Sequence, residues 1–456
     1  MIDRLTHRFR PALPALSQRN FRHEIVSVAL MAAGLACIDV NVLGVLADKA
    51  FHAGPWVITI IAASDSVAHV TSFLWARWLH GSDRVRSANA LQFCVIACVL
   101  AVAAAPLSGV GIAMLVGLTI LGRVFITGIV NARTDIWRAN YPRDARGLAT
   151  GRLTVAATFV IALTGLSVAL SMDVRAETLD AVGLGWLHGH AFRVIYVLAA
   201  MVALMGARVF SRVRWRGRAA QMKAERERAA DGAGGASPRA MWKILKRDRE
   251  YRRFMAAQFM LGWPNLAAVP IFILALKDHF SLQWTQSMLL TRVIPILIPV
   301  LVVPMWGRLL DRMHIVRFRS YHSWVFVVAN GLMAAAFLSE NLVLLYVARV
   351  VLGVAFGGGL LAWELGHHDF ARREEAASYM AIHVTLTGVR GMFAPFLGTW
   401  LYASLDPGWF GLAADGKGLG AWTFLVLALL SVWGAMMFVT LYRDTRHRTR
   451  GRPGRD

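Results

Sequence analysis

Cysteine and recognisable catalytic motifs are both scarce in this sequence of 456 residues. The three cysteines, Cys37, Cys94 and Cys98, all lie inside apolar stretches, which indicates reduced packing residues and argues against a disulfide framework. The chain has no phosphate-binding glycine loop, no Ser/His/Asp arrangement typical of hydrolases and no redox motif. We therefore expect no cofactor and have no residue pattern on which a soluble enzyme could be assigned.

Long apolar runs, by contrast, dominate the chain. Hydrophobic residues make up 57% of it and the mean hydropathy is +0.51, which is too apolar for a soluble protein of this length. A membrane-spanning helix needs about 20 apolar residues, and twelve stretches of roughly that length are present. The predicted spans are 25–46, 55–76, 88–106, 110–132, 152–171, 192–211, 254–276, 285–306, 322–338, 342–362, 378–402 and 420–442.

Acidic residues are few, with 27 against 49 lysines and arginines, and the formal net charge is +22. The excess lies in loops on one side of the predicted membrane, and no nucleic-acid recognition motif accompanies it, so we expect no nucleic-acid partner. The positive-inside rule then places both termini in the cytoplasm, as expected for a multi-pass protein of a bacterial inner membrane. The predicted inside loops carry Arg77, Arg84, Arg86, Arg138, Arg143, Arg146, Arg308, Arg312, Arg317, Arg319, Arg372 and Arg373.

The spans form two groups of six around a charged, Gly-rich segment. We predict a cytoplasmic tail (1–23), a six-helix bundle (24–211), a cytoplasmic linker (212–248), a second six-helix bundle (249–443) and a cytoplasmic C-terminal tail (444–456). Short landmarks recur about 230 residues apart, which indicates duplication of a six-helix unit. The recurring pairs are Arg19–Arg22 with Arg249–Arg252, Ala47–Phe51 with Leu276–Phe280, and Trp75–Arg77 with Trp306–Arg308.

Two motifs give the chain a family resemblance. The loop after the eighth span reads Gly307-Arg308-Leu309-Leu310-Asp311-Arg312, which resembles the Gly-x-Leu-x-Asp-Arg loop of the major facilitator superfamily. The tenth span has an Arg-x-x-x-Gly pattern from Arg349 to Gly353, which is similar to another motif of that superfamily. In the first half, His80 stands where the loop aspartate would be.

The resemblance implies an all-α integral membrane protein with twelve transmembrane helices in two pseudo-symmetric six-helix bundles. It also implies a secondary active transporter that moves a small solute by alternating access, with helices one, four, seven and ten lining the cavity. Gly307, Asp311 and Arg312 are then expected to form a latch of the inner gate: the glycine permits close helix approach and the aspartate accepts hydrogen bonds. We expect a monomer, in contact with membrane lipid.

Two alternatives stay open. A polytopic membrane enzyme acting on lipid would use His367, His368 and Asp369 near the cytoplasmic surface, although adjacent histidines point in different directions on a helix and we expect no metal site there. A transporter-like sensor that no longer moves solute is the other alternative.

Polar residues inside the spans are the candidate site residues. A charge at the centre of a membrane helix costs about 2.5 to 3.5 kcal/mol on insertion scales, so each such residue needs a partner or a function. Several form stripes at helical spacing, among them Arg123, Thr127, Asn131 and Thr134 on the fourth span. The candidates for solute binding or coupling are Asp39, Asp65, His69, Arg123, Asn131, Gln258, Asn265, Arg292, Arg349, His383 and Arg390.

Asp65, His69 and Arg123 form the sharpest hypothesis among these candidates. Asp65 and His69 share one helical face, and their depth is similar to that of Arg123. We expect the three to form a group whose protonation is linked to solute movement, with proton coupling itself left open. Asp39 lies in the outer half of its helix, and we do not expect it to reach Arg123. The several arginines favour an anionic or zwitterionic solute.

Overall fold

The computed structural model describes residues 13–230, 238–371, 375–404 and 418–450, and every regular element in these ranges is helical. Parts of the predicted tails and linker, together with Arg372 and Arg373, lie outside the described residues. The helices, numbered in chain order, are α1 (Ala15–Cys37), α2 (Val40–Lys49), α3 (Pro55–Val70), α4 (Ser72–Leu79), α5 (Arg84–Ala104), α6 (Gly109–Asn140), α7 (Arg143–Met172), α8 (Ala176–Ala181), α9 (Ala191–Phe210), α10 (Arg218–Ala230), α11 (Pro238–Arg247), α12 (Arg249–His279), α13 (Trp284–Leu310), α14 (Ile315–Leu338), α15 (Leu342–Leu365), α16 (Ala376–Ala403) and α17 (Trp422–Arg450).

The predicted twelve-helix arrangement is confirmed. In the described residues, 11 helices are long and apolar enough to cross a membrane, with α1 and α2 together forming the first. The remaining pass is the second, which is divided into the apolar helix α3 and the short helix α4. The protein is therefore an integral, multi-pass membrane protein.

Polar and proline residues set several helix ends. Asp83 accepts hydrogen bonds from the first-turn amides of α5, Asp248 caps α12 in the same way, and Asn341 caps α15. Within α13, residues Leu289–Val293 form a π-helical turn immediately before Pro295. Proline has no amide hydrogen to continue the ladder, which accounts for an irregular turn at this point.

The chain forms two compact units. The first contains residues 1–39 and 71–233, and the second contains residues 40–70 and 234–456. In the second unit, α2 packs on α12 and α13, and α3 packs on α12 and α16. The segment Val40–Val70 therefore joins helices of the second half of the sequence, and the division into two sequence bundles at 212–248 remains a proposal. The chain passes between the units three times, and the first two passages fall at helix interruptions, beside Asp39 and at Thr71.

Candidate functional site

The interruption of the first membrane helix lies next to an ion pair in the first unit. Asp39 occupies the gap between α1 and α2, and its Oδ2 atom lies 3.4 Å from Nη2 of Arg123 on α6. Only 7% of the Asp39 side chain and 12% of the Arg123 side chain are exposed. The expectation that Asp39 would not reach Arg123 is therefore wrong, because it assumed a continuous helix.

The same face of α6 contacts the interruption of the second membrane helix. Asn131 donates a hydrogen bond from Nδ2 to the Ser72 hydroxyl at 3.0 Å and another to the Ser72 carbonyl at 3.2 Å. Ser72 is the first residue of α4, directly after the interruption at Thr71. The polar stripe that was recognised in the sequence thus contacts the two helix interruptions that flank Val40–Val70.

Asp65 and His69 lie on α3 in the second unit, whereas Arg123 lies in the first. The predicted group of the three residues therefore stays a prediction. Asp65 takes part in further interactions, and Ser66 beside it is buried.

A second buried charge group in the first unit was missed by the sequence analysis. Glu24 on α1 is fully buried, and its carboxylate accepts hydrogen bonds from Arg133 at 3.2 Å, from the Trp137 indole and from the Tyr141 hydroxyl at 2.5 Å. Its neighbours Trp137 and Tyr141 belong to the cytoplasmic end predicted for α6. This network satisfies the carboxylate with three donors, which is how a buried charge is stabilised.

In the second unit, two buried arginines meet at Gln258 of α12. Arg319 of α14 donates from Nη2 to the Gln258 side-chain oxygen at 2.6 Å, and Arg390 of α16 donates from Nη1 to the Gln258 backbone carbonyl at 2.7 Å. The predicted ninth span began at 322, which put Arg319 in an inside loop. That placement is wrong, since α14 begins at Ile315 and Arg319 is 2% exposed.

Two further residues complete the surroundings of this arginine pair. Arg319 also contacts His322, with Nη1 and Nδ1 3.0 Å apart. Gly262 lies directly against the Arg390 guanidinium, and a β-carbon at that position would overlap it. His383 of α16 is 1% exposed, lies beside the Trp363 ring, and its Nε2 atom has no hydrogen-bond partner among the described residues.

Arg349 has a structural explanation. Its Nε donates to the Leu290 carbonyl at 2.6 Å and its Nη2 to the Thr291 carbonyl at 3.2 Å. Pro295 cannot donate to the carbonyl of Thr291, so the guanidinium satisfies backbone groups that the irregular turn of α13 leaves free. Arg292 lies in the same π-helical turn.

Asn265 has a structural setting as well. Its side-chain oxygen is 3.5 Å from the Asn330 amide nitrogen, which donates at 2.7 Å to Ser431. The three residues link α12, α14 and α17, and the arrangement favours helix packing as the role of Asn265.

The predicted gate residues at the end of α13 lack the close helix contact that the motif implies. A β-carbon at Gly307 would meet only the Leu361 Cδ1 atom at 3.8 Å, which is an ordinary contact, so no close helix approach requires this glycine. Asp311 and Arg312 are exposed at the end of α13. The carboxylate that contacts this loop is Asp369, whose Oδ2 atom accepts a hydrogen bond from the Ile315 amide at 2.7 Å. The latch role of Gly307, Asp311 and Arg312 stays a prediction.

Asp369 belongs to the His367–Asp369 cluster that raised the alternative of a lipid enzyme. Its carboxylate caps α14, and the two histidine rings lie 4.1 Å apart. Among the described residues, no group of His, Cys, Asp and Glu side chains has a geometry suited to a metal ion.

The corresponding loop of the first half is held by a residue from the linker. Arg84 donates from Nε to Asp135 of α6 at 2.7 Å and from Nη2 to both carboxylate oxygens of Glu225 at 2.9 Å. The Gly81 amide donates to the same carboxylate at 2.8 Å, and Arg218 lies 2.8 Å from Asp83. Glu225 and Arg218 are both on α10, so this linker helix docks on the loop before α5. Sequence reasoning could not find this pair, because 141 residues separate Arg84 from Glu225.

Within the second unit, the ends of α2 and α12 are joined by opposite charges. Asp48 lies 3.3 Å from Lys277, and Lys49 donates to the Leu282 carbonyl at 2.5 Å. Asp48, Lys49 and Lys277 belong to the recurring segments Ala47–Phe51 and Leu276–Phe280. The acid precedes the base in the first segment and follows it in the second. Asp48, Lys49 and Lys277 border a cavity of about 340 Å³ that Trp284 also lines. With this reversed order, the acid at the end of α2 faces the base at the end of α12.

Comparisons with known proteins place this architecture. The sequence profile of the Major Facilitator Superfamily matches residues 255–456. No curated protein sequence matches the chain. A solved structure of the nucleoside transporter NupG has a TM-score of 0.65 and 11% identity, over 92% of this chain and 100% of that one.

Two other structures give the same result. A bacterial homologue of the human lysosomal transporter Spinster, in an inward-facing conformation, has a TM-score of 0.67 and 14% identity, over 93% of this chain and 97% of that one. A D-xylose-proton symporter has a TM-score of 0.65 and 13% identity, over 92% of this chain and 96% of that one. The sequence match thus covers the second half of the chain, residues 255–456, and the three solved transporters share its fold over more than nine-tenths of its length.

Proposed function

We propose that this secondary transporter couples the movement of a small solute to protons through the ion pair of Asp39 and Arg123. The observation that carries the proposal is the position of Asp39 in the gap between α1 and α2, at the point where the chain leaves the first unit. A carboxylate there holds the gap against α6 more strongly when it is ionised, because protonation removes the charge that attracts the guanidinium.

The polar stripe on α6 explains how one proton could change more than one contact. Arg123 holds the interruption of the first helix, and Asn131 holds that of the second through Ser72. Between these two interruptions lies Val40–Val70, which packs on α12 and α16. Releasing Asp39 would free one end of this segment from α6, so the segment could move relative to α6 during alternating access.

The solute is proposed to be small and either anionic or zwitterionic, since the buried arginines outnumber the buried acids in the second unit. The structural neighbours suggest further probes, because they carry nucleosides and D-xylose according to their descriptions. A suitable panel for liposome uptake contains a nucleoside, D-xylose, a dipeptide and a dicarboxylate. If the reconstituted protein moves no member of any such panel, the sensor alternative gains support.

The finer points of location follow from charge. We place the protein in a bacterial inner membrane with both termini and the linker in the cytoplasm, because the basic loops all fall on one side under a count of twelve helices. In this orientation the Asp48–Lys277 pair lies at the outer end. We further propose that it acts as a monomer surrounded by lipid.

Uptake in liposomes that contain the purified protein, with and without a pH gradient, tests the coupling. Asp39→Asn keeps the size of the side chain and removes its charge, so it should abolish accumulation driven by the gradient. Exchange of solute at equal pH should persist, because exchange needs binding but no net proton transfer. Arg123→Gln should behave in the same way.

Asp65→Asn is the matched control, since it tests the group predicted from sequence. Accumulation that survives in Asp65→Asn but not in Asp39→Asn supports the proposal. The reverse result would assign coupling to Asp65 and His69 instead, and accumulation in both variants would remove protonation of either carboxylate from the mechanism.

A further inference from the structure

The arginine pair at Gln258 has more positive charge than the described residues neutralise. No carboxylate in the described part of the chain lies within ion-pair distance of Arg319 or Arg390. Their acceptors are one amide oxygen, backbone carbonyls and a histidine nitrogen. Arg319 also lies over the Phe438 ring, with 4.9 Å between the guanidinium carbon and the ring centre. All of these partners are neutral, so neither buried guanidinium group has a counter-charge among the described residues.

Hydrogen bonding at the pair is incomplete as well. A guanidinium has five N–H donors, and in both arginines the buried Nε atom has no partner among the described residues. His383 is in the same position, with a buried and unpaired Nε2 atom. His383 lies seven residues before Arg390 on the same face of α16, and the charges of Arg390 and Arg319 both act on its ring, so we treat the three groups as one cluster. Buried polar groups are normally paired, and an unpaired cluster of donors indicates a missing acceptor.

Arg349 shows what a satisfied buried arginine looks like in the same unit. It is also surrounded by protein, yet its Nε donates to the Leu290 carbonyl and its Nη2 to the Thr291 carbonyl of α13, so its Nε atom has an acceptor where those of Arg319 and Arg390 have none. The difference between Arg349 and the pair at Gln258 is therefore not burial. The difference is that the Nε donors of Arg319 and Arg390 have no acceptors among the described residues.

We propose that Arg319, Arg390 and His383 form a binding site for one small oxyanion group, such as a carboxylate, phosphate or sulfate. Guanidinium groups bind these groups through paired N–H donors and supply the opposite charge. Arg390 keeps 6% of its surface exposed and Gln258 keeps 8%, so the cluster is not sealed. The group belongs either to the transported solute or to an ion that stays bound. The site does not depend on proton coupling, and the two proposals are tested by separate experiments.

Thermal unfolding of the full-length purified protein tests the site directly. The protein is dialysed into a buffer free of oxyanions, and sulfate, phosphate, acetate or succinate is added at an ionic strength held constant with sodium chloride. At least one oxyanion should raise the unfolding temperature with a saturable dependence on concentration. Arg390→Gln and Arg319→Gln should weaken the apparent affinity at least tenfold, and Arg390→Lys should restore part of it.

Arg349→Lys provides the matched control, because it alters a buried arginine that has acceptors. It should lower the unfolding temperature without changing the apparent affinity for the oxyanion. Ion chromatography of the denatured wild-type protein covers the case of a resident ion: about one equivalent of anion, absent from Arg390→Gln, would support the site and identify its occupant as structural. A wild-type protein with neither a resident anion nor a saturable response, or an Arg390→Gln variant that responds like the wild type, would overturn the proposal. Failure of proton-driven uptake would leave these binding results unchanged.

Discussion

The loops that precede α5 and α14 occupy equivalent places in the two halves, about 230 residues apart, but they are held differently. In both, an acid near the end of the following membrane pass contacts the start of the helix: Asp135 binds the Arg84 guanidinium, and Asp369 binds the Ile315 amide. The first loop alone, among the described residues, has an additional carboxylate from the linker helix α10. His80 replaces the motif aspartate in the first loop, and Glu225 of the linker provides a carboxylate there.

In both loops, the residue at the motif position is not the carboxylate that makes the expected contact. Asp311 keeps the motif position in the second loop but is exposed, and the capping contact is made by Asp369. His80 takes the motif position in the first loop, where its ring contacts the backbone carbonyl of Glu225 at 2.7 Å. Mutations that remove each contact separately test whether the two loops are held in these different ways.

The largest effect is expected for Arg84→Gln. This change leaves Asp135 and Glu225 facing each other without the cation that they share, and it should lower the free energy of unfolding by about 2 kcal/mol, less than for a fully buried pair because both carboxylates keep contact with water. Chemical unfolding of the purified protein measures the change. Arg86→Gln is the control, because 81% of the Arg86 side chain is exposed. Equal stability of the two variants would contradict the assignment of Arg84.

An intermediate effect is expected for Asp369→Ala in the second loop. The substitution removes the acceptor of the Ile315 amide at the start of α14, and the loss of such a cap costs about 1 kcal/mol. The same unfolding measurement applies, with His368→Ala as a neighbouring control whose side chain is exposed. A neutral result for Asp369→Ala would mean that the cap does not stabilise the second loop.

The smallest effect on stability is expected for Asp311→Asn. The side chain is exposed, so the free energy of unfolding should change by less than about 0.5 kcal/mol. Transport is the property that the sequence-based latch predicts to fall, because the carboxylate would act in the gating step. Liposome uptake at unchanged protein content decides this point, and normal turnover would remove Asp311 from the gate.

Much of the fold could be predicted because apolar length and charge asymmetry act over whole segments. The polar stripe of α6 was found from spacing alone, since Arg123 and Asn131 are eight residues apart on one helix. The partner of Arg123 could not be found in this way, because no proline or glycine in the immediate sequence marks the gap at Asp39. The depth of Asp39, measured along a helix that was assumed to be continuous, then excluded it wrongly as the partner of Arg123.

Buried charges near helix ends were missed for a related reason. Arg319 and Glu24 lie within the first half of their helices, where an apolar window is diluted by charge and the predicted span begins too late. Such residues look like parts of a loop until packing is known. Glu225 is different, since its contact depends on how a linker helix docks, and nothing in the local pattern of Arg218–Ala230 specifies a distant loop.

The docking of α10 also bears on where this chain could be divided into separately expressed fragments. A cut directly after α9 would take Arg218 and Glu225 away from Asp83 and Arg84, whereas a cut beyond Ala230 leaves those contacts inside the first fragment. The first fragment would still carry Val40–Val70, whose apolar side chains pack on α12 and α16 of the other fragment. We therefore expect two co-expressed fragments to associate through these contacts, and the docked helix α10 to stabilise the first of them.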